Sequence, residues 1–204
     1  MSEKVIVIGA SGHGKVIADI VLKSGDTLLG FLDDSESLPP EIIGIPVLGK
    51  VADHVNYPEA SFVIGIGSSA VRERISLRLG DVRWYTAIHP AATVSALDTH
   101  IGAGSVVMAN AVIDPSARIG AHCIINTSAV VEHDDRIGDF SHISVGAKLG
   151  GTVRIGAHTW VGIGSTVSNN VTVCDDCMIG AGTVVIHDIK ESGTYVGVPA
   201  RKIK

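Results

Sequence analysis

The sequence predicts an α/β domain joined to an all-β domain built as a parallel β-helix. Two observations carry this. Residues 1–87 alternate apolar strand-like runs with helical runs, which implies a parallel sheet with right-handed crossovers. From residue 88 the period changes to six: Ile101, Val107, Ile113, Ile119, Ile125, Val131, Ile137, Ile143, Leu149, Ile155, Val161, Val167, Val173, Ile179 and Val185 are all aliphatic. Composition agrees with both. Hydrophobic residues make up 46% of the chain and aromatic residues 4%, with 24 glycines, a balance led by Val and Ile that suits strands and tight turns.

In the first domain "KVIVIGA" reads as a buried strand and "HGKVIADIVLKSG" as a helix closed by Gly25. "TLLGFLDD" is a second strand, "GKVADHV" a short helix, "SFVIGIGS" a third strand, "AVRERISLRLG" a helix and "RWYTAIHP" a further strand. Together they make only one half of a full dinucleotide-binding fold.

In the second domain, residues 88–204, each six-residue unit supplies a short strand and a turn. Three units build one triangular coil. The aliphatic side chain points inward and stacks on its equivalent eighteen residues away. Four places further on the residue is small, as at Ser105, Ala111, Ala117, Cys123, Ala129, Ser141, Ala147, Thr159, Ser165, Cys177 and Thr183, which suits a crowded corner. Glycine often follows the aliphatic and is expected to permit the turn. Ile88 and Val94 extend the repeat upstream, with one extra residue before Ile101.

Charge and cysteine content exclude several classes. The net charge is −5 with no basic run, which argues against a nucleic-acid partner. The apolar stretch before Gly9 is too short for a signal peptide or a membrane span, so a cytoplasmic protein is expected. Cys174 and Cys177 have C-x-x-C spacing, but no second pair completes a zinc site. No metal is expected, and the thiols read as structural.

Two stretches carry chemistry. In "IGASGHGK" a strand opens into a helix through Gly9, Gly12 and Gly14. Glycines allow close backbone approach, and the free N–H groups of a helix start favour an anion. Asp33 lies 19 residues after Gly14, at a strand end where an acid commonly accepts from a ribose hydroxyl. The spacing is G-x-x-G-x-G and not G-x-G-x-x-G. A nicotinamide cofactor, and glycines that only pack helix on sheet, are the competing readings. In "VVEHDDRIGDFSHIS" two histidines and four acids fall between Glu132 and His142. Either they solvate turns or they do chemistry. The register places Val131 inside, with Glu132 and His133 at the turn beyond it. His133 and His142 then occupy different sides of the triangle.

"GASGHG" at 9–14, "FLDD" at 31–34, "INTSAVVEHDDRIGDFSHISVGAKLGG" at 125–151 and "VGVPARKI" at 196–203 together resemble the hexapeptide-repeat nucleotide-sugar acetyltransferases. That family includes the bacillosamine and perosamine N-acetyltransferases and the sialic acid O-acetyltransferases. The resemblance implies a Rossmann-like nucleotide-sugar-binding domain and a left-handed β-helix. It implies a homotrimer with active sites between subunits and acetyl-CoA as co-substrate. The leading acceptor is the 4-amino group of a UDP-4-amino-4,6-dideoxy-N-acetyl sugar, with GDP-perosamine or sialic acid as alternatives, and a non-catalytic nucleotide-sugar-binding protein as a distant one.

By the same resemblance His133 is the general base and Asp134 the acid that raises its basicity. Ser11, Gly12, His13, Asp33, Asp34, Gly67 and Asn126 bind the nucleotide sugar. His142, Gly151, Ile163 and Ala181 bind acetyl-CoA. Asn126 reads equally as an asparagine turn. Glu132 and Asp135 read as solvated turn residues, and His100, His122, His158 and His187 as exposed turn histidines. Arg201, Lys202 and Lys204 meet CoA phosphates or form a solubilising tail.

Overall fold

A computed structural model, which describes residues 2–204, divides into two compact units, the first ending at Pro90 and the second running Ala91–Lys204. In the first unit β1 (Lys4–Ile8), α1 (Gly12–Lys23), β2 (Thr27–Leu32), β3 (Glu41–Ile42), β4 (Ile45–Gly49), β5 (Ser61–Ile64) and α2 (Ser69–Leu79) form a five-stranded sheet of order β3-β4-β2-β1-β5 with its two helices. β1 pairs in parallel with β2 and β5, and β2 with β4; only β3 runs antiparallel. Val5, Ile6, Val7 and Ile8 are all fully buried. This is the continuous apolar run of a strand covered on both faces. The hairpin of β3 and β4 was not expected. Pro40 and Pro46 flank or interrupt it, and proline is tolerated here because the pair lies at the sheet edge.

The second unit is a left-handed β-helix with three parallel faces. The first face stacks Thr93–Val94, Val112–Ile113, Val130–Val131, Lys148–Leu149, Thr166–Val167 and Val184–Val185. The second stacks His100–Ile101, Arg118–Ile119, Arg136–Ile137, Arg154–Ile155 and Thr172–Val173. The third carries Val106–Val107, Ile124–Ile125, His142–Ile143, Trp160–Val161 and Cys177–Ile179, followed by Gly193–Val196 and the antiparallel Arg201–Lys202. The basic C-terminal cluster is therefore a strand, with Lys202 Nζ 3.1 Å from Glu191, and not a free tail. The inward positions from Val107 to Val185 are buried and form one core. Ile88 lies outside it and is partly exposed.

The turn chemistry differs from expectation. The glycines that follow the inward aliphatic, such as Gly138 and Gly156, do not have positive φ. They are small because a Cβ there would collide with the backbone of the next coil. The left-handed residue lies two places later, at Asp98, Gly104, Asn110, Ser116, His122, Ser128, Asp134, Phe140, Gly146, Thr152, His158, Gly164, Asn170, Asp176 and Gly182. Most of these are not glycine, so the signal was hidden. Thr152, with φ 64°, is β-branched in a region that costs L-residues about 1–2 kcal/mol. Thr152→Asn should raise stability by about 1 kcal/mol, read as a higher urea midpoint at unchanged slope.

One corner carries a ring stack: His122, Phe140 and His158, with successive centroids 5.2 Å apart. His122 is consequently buried, not the exposed turn residue expected. No described helix is long and apolar enough to cross a membrane.

Candidate active site

The first unit gathers its predicted residues at the C-terminal ends of β1, β2 and β5, where open parallel sheets take ligands. Ser11 is the N-cap of α1 but makes no side-chain cap, so the helix start keeps donors for an anion. A Cβ on Gly14 would strike Gly9 O, and one on Gly9 would meet Ile66 at 2.8 Å. Packing explains these two glycines. Gly12 and Gly67 face open space, so packing does not require glycine at either.

Asp33 accepts from Ala10 N–H and Ser35 N–H, both at 2.8 Å, and so ties the glycine loop to the end of β2. Asp34 accepts from Val51 N–H at 2.9 Å and pairs with Arg78 at 2.8 Å. Both acids line a cavity of about 250 Å³ together with Gly9, Ile66, Arg74 and Arg78.

Sequence reasoning missed Arg72, which is 1% exposed and donates to Gly67 O at 2.6 Å. Nothing in "AVRERIS" sets it apart from its arginine neighbours. Burial, then the charge of Arg72, push the His13 imidazole down to about 4. His13 is therefore neutral near pH 7 and offers an uncharged ring beside the loop.

In the second unit His133 and Asp134 lie at the corner between the first and second faces. Asp134 takes the left-handed conformation, φ 62°. Its carboxylate accepts from His133 Nδ1 at 2.8 Å. That bond, followed by the charges of Asp134, Glu132 and Asp135, raises the His133 pKa above its ordinary value. It also holds the proton on Nδ1 and leaves the Nε2 lone pair for chemistry.

Nε2 lies above Gly151, one coil along, where a Cβ would approach it to 2.5 Å. A groove of about 440 Å³ runs past them, lined by Glu132, Lys148, Gly150, Ser168 and Asn169. Gly151→Ala should displace the ring while the corner stays folded. The expected result is a fall in kcat of about tenfold or more with the melting temperature nearly unchanged.

The neighbouring acids differ from expectation. Asp135 is 0% exposed and Glu132 is half-buried; neither is a freely solvated turn residue. Asp135 takes the small-residue place of its unit, four after Val131. Burial pushes its carboxyl up to about 7. Asp114, one coil below Glu132, is raised by burial and then by the Glu132 carboxylate.

His142 stands on the third face, away from His133, as the register predicts. Its Nε2 accepts from Asn126 Nδ2 at 2.9 Å, and its ring lies 4.6 Å from that of Trp160. Asn126 Oδ1 accepts from Thr127 N–H at 2.7 Å, so this residue makes a local turn and also orients His142. Ile163 and Ala181 fall in one exposed row with Val145, along the corner between the third and first faces. One face separates that row from the His133 corner, a span of up to about 20 Å for six extended residues. The residues expected to hold acetyl-CoA therefore lie on two corners and the third face of one chain.

A corner histidine held by a carboxylate on a left-handed β-helix, in a chain that also carries a Rossmann-like unit, defines a β-helical acyltransferase architecture. Comparison with known proteins agrees. The family described as the PglD N-terminal domain matches residues 4–79, and bacterial transferase hexapeptide (six repeats) matches 98–133 and 152–187. The acetyltransferase domain of PglB from Neisseria gonorrhoeae FA1090, solved with acetyl coenzyme A, is 34% identical, with 100% of each chain covered and a TM-score of 0.93. A histidine-to-asparagine mutant of perosamine N-acetyltransferase from Caulobacter crescentus, solved with CoA and GDP-perosamine, is 32% identical, covering 98% of this chain and 97% of that one, with a TM-score of 0.93. UDP-N-acetylbacillosamine N-acetyltransferase of Bacillus subtilis (strain 168) is 39% identical over 116 residues, 52% of this chain and 52% of that protein. The chain spans about half the length or less of the curated relatives it matches. The chain belongs to the hexapeptide-repeat nucleotide-sugar acetyltransferase family.

Proposed function

We propose that this chain transfers the acetyl group of acetyl-CoA to the 4-amino group of a UDP-linked 4-amino-4,6-dideoxy-N-acetyl sugar. The observation that carries the reading is the His133 imidazole, bonded through Nδ1 to Asp134, with Nε2 turned to the groove above Gly151. The Bacillus subtilis relative, by its name, acts on UDP-N-acetylbacillosamine.

The sugar amine is largely protonated near neutral pH and reacts as its neutral form, the first proton having gone to solvent. His133 Nε2 takes a proton from the amine as nitrogen adds to the thioester carbon. Asp134 stabilises the imidazolium that results. A backbone N–H of Gly151 supports the oxyanion. The C–S bond then breaks, and the imidazolium returns its proton to the CoA thiolate. No acyl-enzyme forms.

Ser11, Gly12, His13, Asp33, Asp34 and Gly67 hold the nucleotide sugar, with Asn126 toward the sugar. His142, Gly151, Ile163 and Ala181 hold acetyl-CoA. Because the His133 and Ile163 corners are separate within one chain, the working unit is a homotrimer whose sites form between subunits. Its place of action is the cytoplasm.

Thiol release from acetyl-CoA tests the reading, with UDP-4-amino-4,6-dideoxy-N-acetyl sugar, GDP-perosamine and sialic acid as parallel acceptors. Rapid release with the UDP sugar supports it. Release only with GDP-perosamine, which the Caulobacter crescentus neighbour holds, moves the acceptor and keeps the mechanism. Release with none overturns it.

A further inference from the structure

From Ala117 upward the corner column that runs through the His133 site is Ala117, Asp135, Val153 and Val171, one residue per coil, all buried and all but Asp135 apolar. Asp135 stands among them inside the hydrophobic core. A carboxyl in such a place costs stability unless its oxygens are bonded, and Ala or Val fills the same place in adjacent coils. Folding alone does not call for an acid here. A local rule broken without a gain in packing marks a functional position.

Its two oxygens join the two sides of the site. Oδ2 accepts from Glu132 N–H at 2.9 Å, the residue before His133. Oδ1 accepts from Val153 N–H at 2.7 Å, two residues after Gly151. The first bond changes the coil ladder. In the coil below, Asp114 N–H bonds Val131 O; in the coil above, Gly150 N–H bonds Val167 O. Glu132 N–H instead turns to Asp135, and the strand pairing of Val130 with Lys148 stops one residue early there. Where a hydroxyl takes the small position, as at Ser105 or Ser141, it also accepts from the N–H eighteen residues on. Only Asp135 among these also draws in the N–H three residues before it.

We infer that Asp135 is a positioning residue, a buried staple that fixes the backbone carrying the His133 imidazole against the backbone of Gly151 beneath the ring. The inference rests on His133 acting as base. Asp135→Val copies the residue that fills this column at Val153 and Val171. This variant should fold with an unchanged or raised melting temperature. Its kcat should fall about 10–100-fold, the scale of a misplaced catalytic group, with the acetyl-CoA KM changed less than about twofold. In a His133→Ala background the same substitution should change the residual rate little, because its effect runs through the ring.

A full kcat in Asp135→Val overturns the inference, as does an equal loss with and without His133. If the valine variant does not fold, Asp135→Ala, which copies Ala117 in the coil below, takes its place under the same criteria. NMR titration of the His133 ring gives a reading independent of turnover. Asp134, Glu132 and Asp135 are the charges acting on the ring, and losing the staple should lower its midpoint. An unmoved midpoint sinks this inference. Absence of acetyl transfer by the wild type, with a midpoint that does move, sinks the catalytic reading instead.

Discussion

His133→Ala should lower kcat for acetyl transfer by about 10²–10⁴-fold, the usual contribution of a positioned general base. The melting temperature should hold, because the ring is exposed at a corner and packs no core. In the wild type kcat/KM should depend on pH through this ring, since only the neutral imidazole accepts a proton. Its pKa lies above 6.5, so activity should be full at higher pH and be lost as pH falls through that raised value. Asp134→Asn removes the largest cause of the shift. The acid limb should then move down toward 6.5 and the plateau should drop, since a weaker base faces the same amine. A pH profile with both variants beside the wild type checks this. An acid limb that stays in place in Asp134→Asn would show that another group sets it.

Mixing two inactive variants should restore activity if sites form between chains. His133→Ala removes the base at one corner. Ile163→Glu puts a charge into the exposed apolar row at another, where it should raise the KM for acetyl-CoA at least tenfold. Each homo-oligomer should be nearly inactive. In trimers reassembled from equal amounts, about a quarter of the sites combine an intact His133 corner with an intact Ile163 row from the next subunit. About a quarter of wild-type activity should return. A monomer that works alone would show no recovery at all.

The coils were legible because their period writes itself into every inward position from Ile101 to Val185. The separation of His133 from His142 follows from the same arithmetic. What stayed hidden had no signature in residue type. The left-handed corner residues alternate among Asn, Asp, Ser, His, Phe, Thr and Gly, and only their spacing in the folded chain unites them. Asp135 was misread by type, as an acid among acids, although its place four after Val131 marks a buried corner. Arg72 was unreadable, because its burial comes from tertiary packing beside Gly67. The edge hairpin of β3 and β4 was masked by its prolines.

The stacking of whole coils gives the exposed row of Val145, Ile163 and Ala181 a property of its own. Successive members are eighteen residues apart, one coil, and coils stack at the inter-strand spacing of about 4.8 Å. The row is a graduated ruler laid along the helix axis, about 10 Å over its three marks. It lengthens or shortens by whole divisions, since each further mark needs one more coil to carry it. The length of this apolar row is therefore set coil by coil. Adding or removing a coil would change it without redrawing the corner that carries His133 and Asp134.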